Sequence, residues 1–265
     1  MKPITRQISC FIFFSLVAAA SSGQNRFFKD APESSFNITG QRRVIVPSKY
    51  RTLNMDIAAF TSFIKMIPSE NAITNRNATP SIEMPLPGGE ISRFHIWESS
   101  VVEPGLAAKY PGVRTFTGQG IDDPTATIKL DLTPSGFHAM ILSSSGGSVF
   151  IDPYVQGNTT NYIAYFKHDF TLAGKYIELP IKQPAAANRS ASPANVLAGV
   201  CIGTQLRKYR LALAADAEYT AYYGGVAAAH SAIVTTMNRV NGVYERELAV
   251  RMVLVANNDL LIYTN

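Results

Sequence analysis

Cysteine is nearly absent from this chain: Cys10 and Cys201 are the only two in 265 residues. A fold stapled by disulfides is therefore excluded. Histidine is scarce too, with His95, His138, His168 and His230. No two of them stand four apart, so the His-Glu-x-x-His arrangement that puts two ligands on one helix face is missing. Charged residues make up only 16% of the chain and never gather into a basic run. Nothing in that pattern asks for a nucleic-acid partner. Long apolar runs are lacking as well: the longest, Ile8 to Val17, is short of the ~20 residues that a spanning helix needs. No Gly-x-Ser-x-Gly elbow accompanies the His168-Asp169 pair, so a serine-hydrolase triad has no nucleophile to offer.

What the chain does have is apolar material. Hydrophobic residues reach 46%, enough for a sizeable core, and the length fits one large or two ordinary domains. Residues 1–23 have the layout of a secretory signal peptide. Lys2 and Arg6 form the charged start, Ile8 to Val17 the apolar stretch, and Ala18 to Gly23 the small-residue end. The expectation is an exported protein with no stable membrane anchor. With Lys2 and Arg6 set aside, 22 basic residues face 19 acidic ones, and the formal charge falls from +5 to +3.

Residues 24–183 read as a β-rich block. A helix is predicted over Asn54 to Ile67, where Met55, Ala59, Phe60, Phe63, Ile64 and Ile67 form an apolar stripe. Strands are predicted at Arg93 to Ser99, Ala126 to Leu132, Phe137 to Leu142, Val149 to Ile151 and Tyr162 to Phe166, each bounded by turn residues. The stretch Ala126 to Leu132 alternates cleanly, with Thr127, Lys129 and Asp131 opposite the apolar face. Together these predict an antiparallel meander. Residues 184–199, rich in Ala, Pro and Ser, read as a linker whose only basic residue is Arg189.

Isolated candidates in this block have ordinary readings. His138 among Phe137, Ala139 and Met140 is expected to be structural. Asp122-Asp123 after Gly120 has the acids of a calcium site, but such pairs more often hydrogen-bond a turn's own backbone. Asn37, Asn77, Asn158 and Asn188 begin Asn-x-Ser/Thr triplets.

The stretch Tyr209 to Asn265 has a different grammar. Tyr209 to Ala215 is a short apolar run, and Asp216 is suited to cap a helix. After Gly224-Gly225, the residues Val226, Ile233, Met237, Val240 and Tyr244 share one helical face, with His230, Asn238, Asn241 and Glu245 largely elsewhere. Ala249 to Ala256 then runs almost wholly apolar. Strand, helix and strand in this order predict a parallel pair with a right-handed crossover. As drawn, Val250 to Val255 would carry an open edge, an aggregation hazard.

The runs "YRLALAADAEYTAYYGG" and "MNRVNGVYERELAVRMVLVANNDLLIY" resemble the opening of the catalytic domain of reprolysin-like (adamalysin-type, metzincin) zinc metalloproteases, closest to a secreted bacterial branch. The runs "RFHIWES", "YPGVRTFTGQGIDDPTATIKLDLTPSGFHAMI" and "FIDPY" resemble the prosegment of the same proteases. The resemblance implies an α+β chain: a β-rich antiparallel prosegment, then the first strand–helix–strand of an α/β catalytic domain (residues 200–265), truncated before its zinc motif. It implies a precursor of a secreted metalloendopeptidase acting on proteins or peptides. The prosegment would pack on its own catalytic domain as inhibitor and folding aid, and activation would cut within the linker. Zinc belongs to the intact enzyme, and no catalytic or metal residue can be named here. Cys201, just before the first strand, has three readings: a disulfide partner, a small buried residue, or a prosegment thiolate held on the zinc. Some members carry a calcium-binding glutamate where this chain has Arg210, so that site does not carry over. The competing expectation is a stand-alone secreted binding or inhibitory module without catalysis.

Overall fold

The computed structural model describes residues 25–38, 40, 43–171 and 205–265. The signal-like segment, the linker and Cys201 lie outside the described residues.

The first part alternates short strands with two helices. Its elements are β1 (Phe28–Asp30), β2 (Arg51–Met55), α1 (Ile57–Ile64), β3 (Ser81–Pro85), β4 (Ile91–Glu98), α2 (Pro104–Lys109) and β5 (Arg114–Gly120). Then follow β6 (Thr127–Thr133), β7 (Gly136–Ser143), β8 (Gly147–Pro153) and β9 (Asn161–Phe166). All nine strands form one antiparallel sheet in the order β1-β2-β9-β8-β7-β6-β5-β4-β3. The antiparallel meander is as predicted in its strands β4, β6, β7, β8 and β9. The sheet also holds strands that sequence patterning did not mark, namely β1, β2, β3 and β5.

Asp56 starts α1 by accepting from the backbone N–H of Ala59 at 2.9 Å, which shortens the predicted helix at its front. The sheet curls around this helix. Its outer strands come close enough for Asn25, just before β1, to donate to the Glu83 carbonyl in β3 at 3.0 Å. Arg51 in β2 likewise donates to the Leu86 carbonyl at 3.1 Å. Phe60, Phe63 and Ile64 fill the hollow against Phe27, Phe137 and the inward residues of the strands. The ring centroids of Phe60 and Phe137 are 5.1 Å apart and nearly perpendicular, a favourable edge-to-face pair. One aromatic plug and one curled sheet thus make the main core.

The second part consists of β10 (Arg207–Leu211), α3 (Ala217–Tyr223), α4 (Val226–Leu248) and β11 (Val250–Leu254). The pair β10–β11 is parallel, as predicted. Asp216 caps α3 through the Tyr219 N–H at 2.8 Å. Gly224 and Gly225, both at positive φ, make the corner between the two helices that a side chain would resist. The first strand begins and ends earlier than its apolar run suggests and is largely exposed. Beyond it, the Asn258 side chain holds the Leu213 backbone from both sides, accepting its N–H at 2.7 Å and donating to its carbonyl at 3.1 Å.

The open edge expected on β11 is not open. Met252 exchanges two hydrogen bonds with the Asn241 amide, each 2.8 Å. Leu254 donates to the Val101 carbonyl and accepts from the Glu103 N–H, both at 2.9 Å. The segment before α2 therefore lies along β11 as a parallel bridge at Val102. A side chain and a borrowed piece of backbone satisfy the outward-facing groups of Met252 and Leu254 that a bare edge would leave unpaired.

Candidate functional site: a buried polar junction

The two parts meet along α4, and the helix serves them with opposite faces. Its apolar face, with Ile233 and Met237, packs with Ala215, Leu254 and Ile262 of its own part, and Val101, Val102, Leu106 and Val113 of the first part join the same cluster. Positions 235, 238, 242 and 245 recur at helical spacing on the other side and lie on the outer face of β6 and β7. That sheet face is the polar side of the alternation in β6. Lys129 and Asp131 point outward from the aromatic core, yet both are buried because α4 covers them.

Polar groups packed away from water are as a rule matched, and here most are, with Asn238 Oδ1 and Arg239 Nε the exceptions. Asp131 accepts from the Thr235 hydroxyl at 2.7 Å and lies 3.1 Å from His138 Nδ1. Asn238 Nδ2 donates to the Leu130 carbonyl at 3.0 Å. Arg239 donates to Asp152 at 2.5 Å, and Tyr165 donates to the other oxygen of that carboxylate at 2.8 Å. Burial and the Asp152 charge together hold the Tyr165 phenol far above its ordinary pKa, so it stays a donor. The Arg239 guanidinium also lies 5.1 Å from the centre of the Phe150 ring, a cation–π contact.

Further along, the contacts become a chain of charges. Lys129 Nζ donates to Glu245 and to the Thr117 hydroxyl, each at 2.7 Å. Glu245 also accepts from Arg251 Nε at 2.5 Å, and Arg251 reaches across to Glu70 at 2.5 Å. Lys208 donates to the second oxygen of Glu70 at 2.6 Å. Burial lowers the Lys129 pKa to about 8 despite the pull of Glu245, so the ammonium is still charged at neutral pH. Burial alone would raise Glu70, but its bonds to Lys208 and Arg251 bring its pKa below the ordinary value. Two more pairs cross at the α2 end, Glu103 with Arg210 at 2.5 Å and Lys109 with Asp259 at 2.8 Å. A cleft of about 730 Å³ opens beside this charge chain, between Trp97 and Gln119 on one wall and Gln205 and Leu206 on the other.

The residues singled out from sequence fall in scattered places. His138 is structural, as expected, held on Asp131. His95 Nδ1 is 2.9 Å from the Thr79 carbonyl, and His168 is largely exposed beside Asp169. His230 is fully buried against the Tyr110 ring, and neither of its ring nitrogens has a hydrogen-bond partner. Asp122 pairs with Arg93, and Asp123 accepts from Thr125, Ser143 and Ser145, which is turn-making. Arg210, the residue standing where some reprolysin-like enzymes carry a calcium-binding glutamate, is occupied with Glu103. Among the described residues no three of His, Cys, Asp and Glu converge as a metal ion would require. They do not fit a zinc site, and no catalytic step is routed through them.

Sequence reasoning missed this junction because it treated only apolar periodicity as a burial signal. The polar residues of α4 recur with the same helical period around Gly242, and that was the available clue.

No curated protein and no solved structure matches the chain. Residues 205–265 match the model of the reprolysin-like metallo-peptidase family M12B. The α4 side of the junction, with β10 and β11, is thus the stretch that is similar to reprolysin-like metallo-peptidases.

Proposed function

We propose that the chain is the precursor form of an exported, zinc-dependent endopeptidase, in which residues 25–171 are the prosegment and residues 205–265 begin the catalytic unit. The observation that carries this reading is the junction. The first part holds the long helix of the peptidase-like part with the buried pairs Lys129–Glu245 and Asp152–Arg239, holds β11 through Glu70–Arg251, and lends backbone to the edge of β11. Those are the contacts of a block that holds a neighbour in one conformation. The likeness of residues 205–265 to M12B peptidases supplies the reaction class, hydrolysis of peptide bonds.

In this reading the described residues contribute no reacting group. Their work is to fold and to restrain, and the linker, residues 184–199, is where activation severs one part from the other. The test is expression of the complete reading frame with and without a cut in that segment. Peptide hydrolysis that appears only after the cut, and that a chelator abolishes, is the expected result. Hydrolysis blocked by serine-directed reagents and indifferent to chelators would overturn it.

A further inference from the structure

We infer that the prosegment-like sheet selects its partner by reading one polar stripe on a helix. The stripe is Thr235, Asn238, Arg239, Gly242 and Glu245, and its recognition keeps the two parts together after the chain between them is cut. This inference rests on the precursor reading above and adds what determines the specificity of docking.

Ordinary helix–sheet packing is apolar, and α4 owns an apolar face. It turns that face mainly toward the second cluster, where Ile233, Met237 and Leu254 meet. The large sheet instead receives a sequence of polar groups, each with its own complement. Thr235 fits the Asp131 carboxylate, Asn238 the Leu130 carbonyl, Arg239 the Asp152–Tyr165 pair, and Glu245 the Lys129 ammonium. Asp131, Asp152 and Lys129 are nearly out of water in this arrangement. A helix lacking any one complement would leave a buried charge or carbonyl short of a partner, so mismatches are penalised and selection works by exclusion.

Gly242 sets the distance. A Cβ there would come within 2.6 Å of Met140 Cε, a flexible side-chain end that can swing aside, and 3.0 Å of Lys129 Cγ, whose side chain is held by its bonds to Glu245 and Thr117. Glycine in mid-helix is otherwise unfavourable, and here it lets the backbone of α4 approach the sheet closely enough for its neighbours to reach their partners. The surface therefore fits a helix bearing Thr-x-x-Asn-Arg-x-x-Gly-x-x-Glu, and such a helix is the kind of partner it accepts.

The test uses the full chain carrying a specific protease site in place of Asn188-Arg189. After cutting, gel filtration and native mass spectrometry follow whether the two parts stay together. The cut chain should co-elute as one species. Gly242→Ala and Asn238→Leu should each raise the dissociation constant at least tenfold. Val243→Ala, on the exposed side of the same helix, should leave it unchanged. Because alanine favours a helix over glycine, loosening by Gly242→Ala would not reflect a weaker α4. Circular dichroism and amide exchange on the uncut variants report whether each still folds. Uncut Gly242→Ala should keep native β content and lose exchange protection along α4. Parts that separate at once after cutting, or stripe variants that hold as tightly as the original, would overturn the inference. Chelator-insensitive activity of the complete frame would remove the peptidase reading and leave the stripe result standing.

Discussion

Glu245 is the residue on which the charge chain turns, and Glu245→Ala shows what the chain is worth. Its carboxylate is the anion that holds Lys129, whose side chain is 5% exposed. It also shares Arg251 with Glu70. Removing it leaves Arg251 one carboxylate but leaves Lys129 only the Thr117 hydroxyl. Breaking a buried pair from one side costs about 3–5 kcal/mol, because the surviving charge is neither solvated nor matched. The retained Glu70 contact puts this case near the lower end, about 3 kcal/mol, or roughly 6–12 °C in Tm for a folded portion of this size. Urea denaturation at pH 7 measures it. Lys129→Met combined with Glu245→Leu should recover to within about 1 kcal/mol of the original, since an apolar pair of similar volume needs no desolvation. A loss under about 1 kcal/mol for the single variant would mean that the pair behaves as an exposed one. A double variant worse than the single would mean that the groups do not act through each other. Either result would refute the reasoning.

Other expectations follow from the same structure. Asn241→Leu removes two hydrogen bonds from Met252 and strands a backbone N–H and carbonyl at a cost of about 1–3 kcal/mol each; faster amide exchange at β11 is the readout. Phe60→Ala empties the centre of the curled sheet and should cost about 3–5 kcal/mol in the same urea assay. Desolvation holds the His230 pKa below 6.5 against the weaker opposing pull of Asp259. The unfolded chain thus takes that proton first, and stability should fall as pH drops through about 6.5. In His230→Phe, which keeps a ring against Tyr110, the loss between pH 7 and 5 should shrink. An unchanged pH profile would remove His230 from the account.

The parts of the fold that sequence patterning reached are those where side-chain period and burial agree. The alternation of Ala126, Ile128, Leu130 and Leu132 marked β6, and Val226 to Tyr244 marked α4, because each buries an apolar face. Strand β5 was missed because Thr115, Thr117 and Gly118 are buried without being apolar. The junction was missed for the same reason: Lys129 and Asp131 read as a solvated face until a helix from far along the chain covers them. Asn241 could not be recognised as an edge cap, since its role depends on where β11 passes. What patterning cannot supply is the pairing of one polar surface with another.

The strand order of the large sheet imposes an order on its own assembly. Arg51 of β2 has its backbone partner at Ala164 of β9, so the first strands wait on the last. At the ~5–20 residues per second of synthesis, that wait is on the order of ten seconds. Throughout it, Phe60, Phe63 and Ile64 of α1 have no hollow to enter. Contacts this distant in sequence form slowly, and the nascent chain passes through a stage in which its stickiest helix is made before its shelter. The practical consequence of a plug made before its sheet is an apolar helix exposed for that interval.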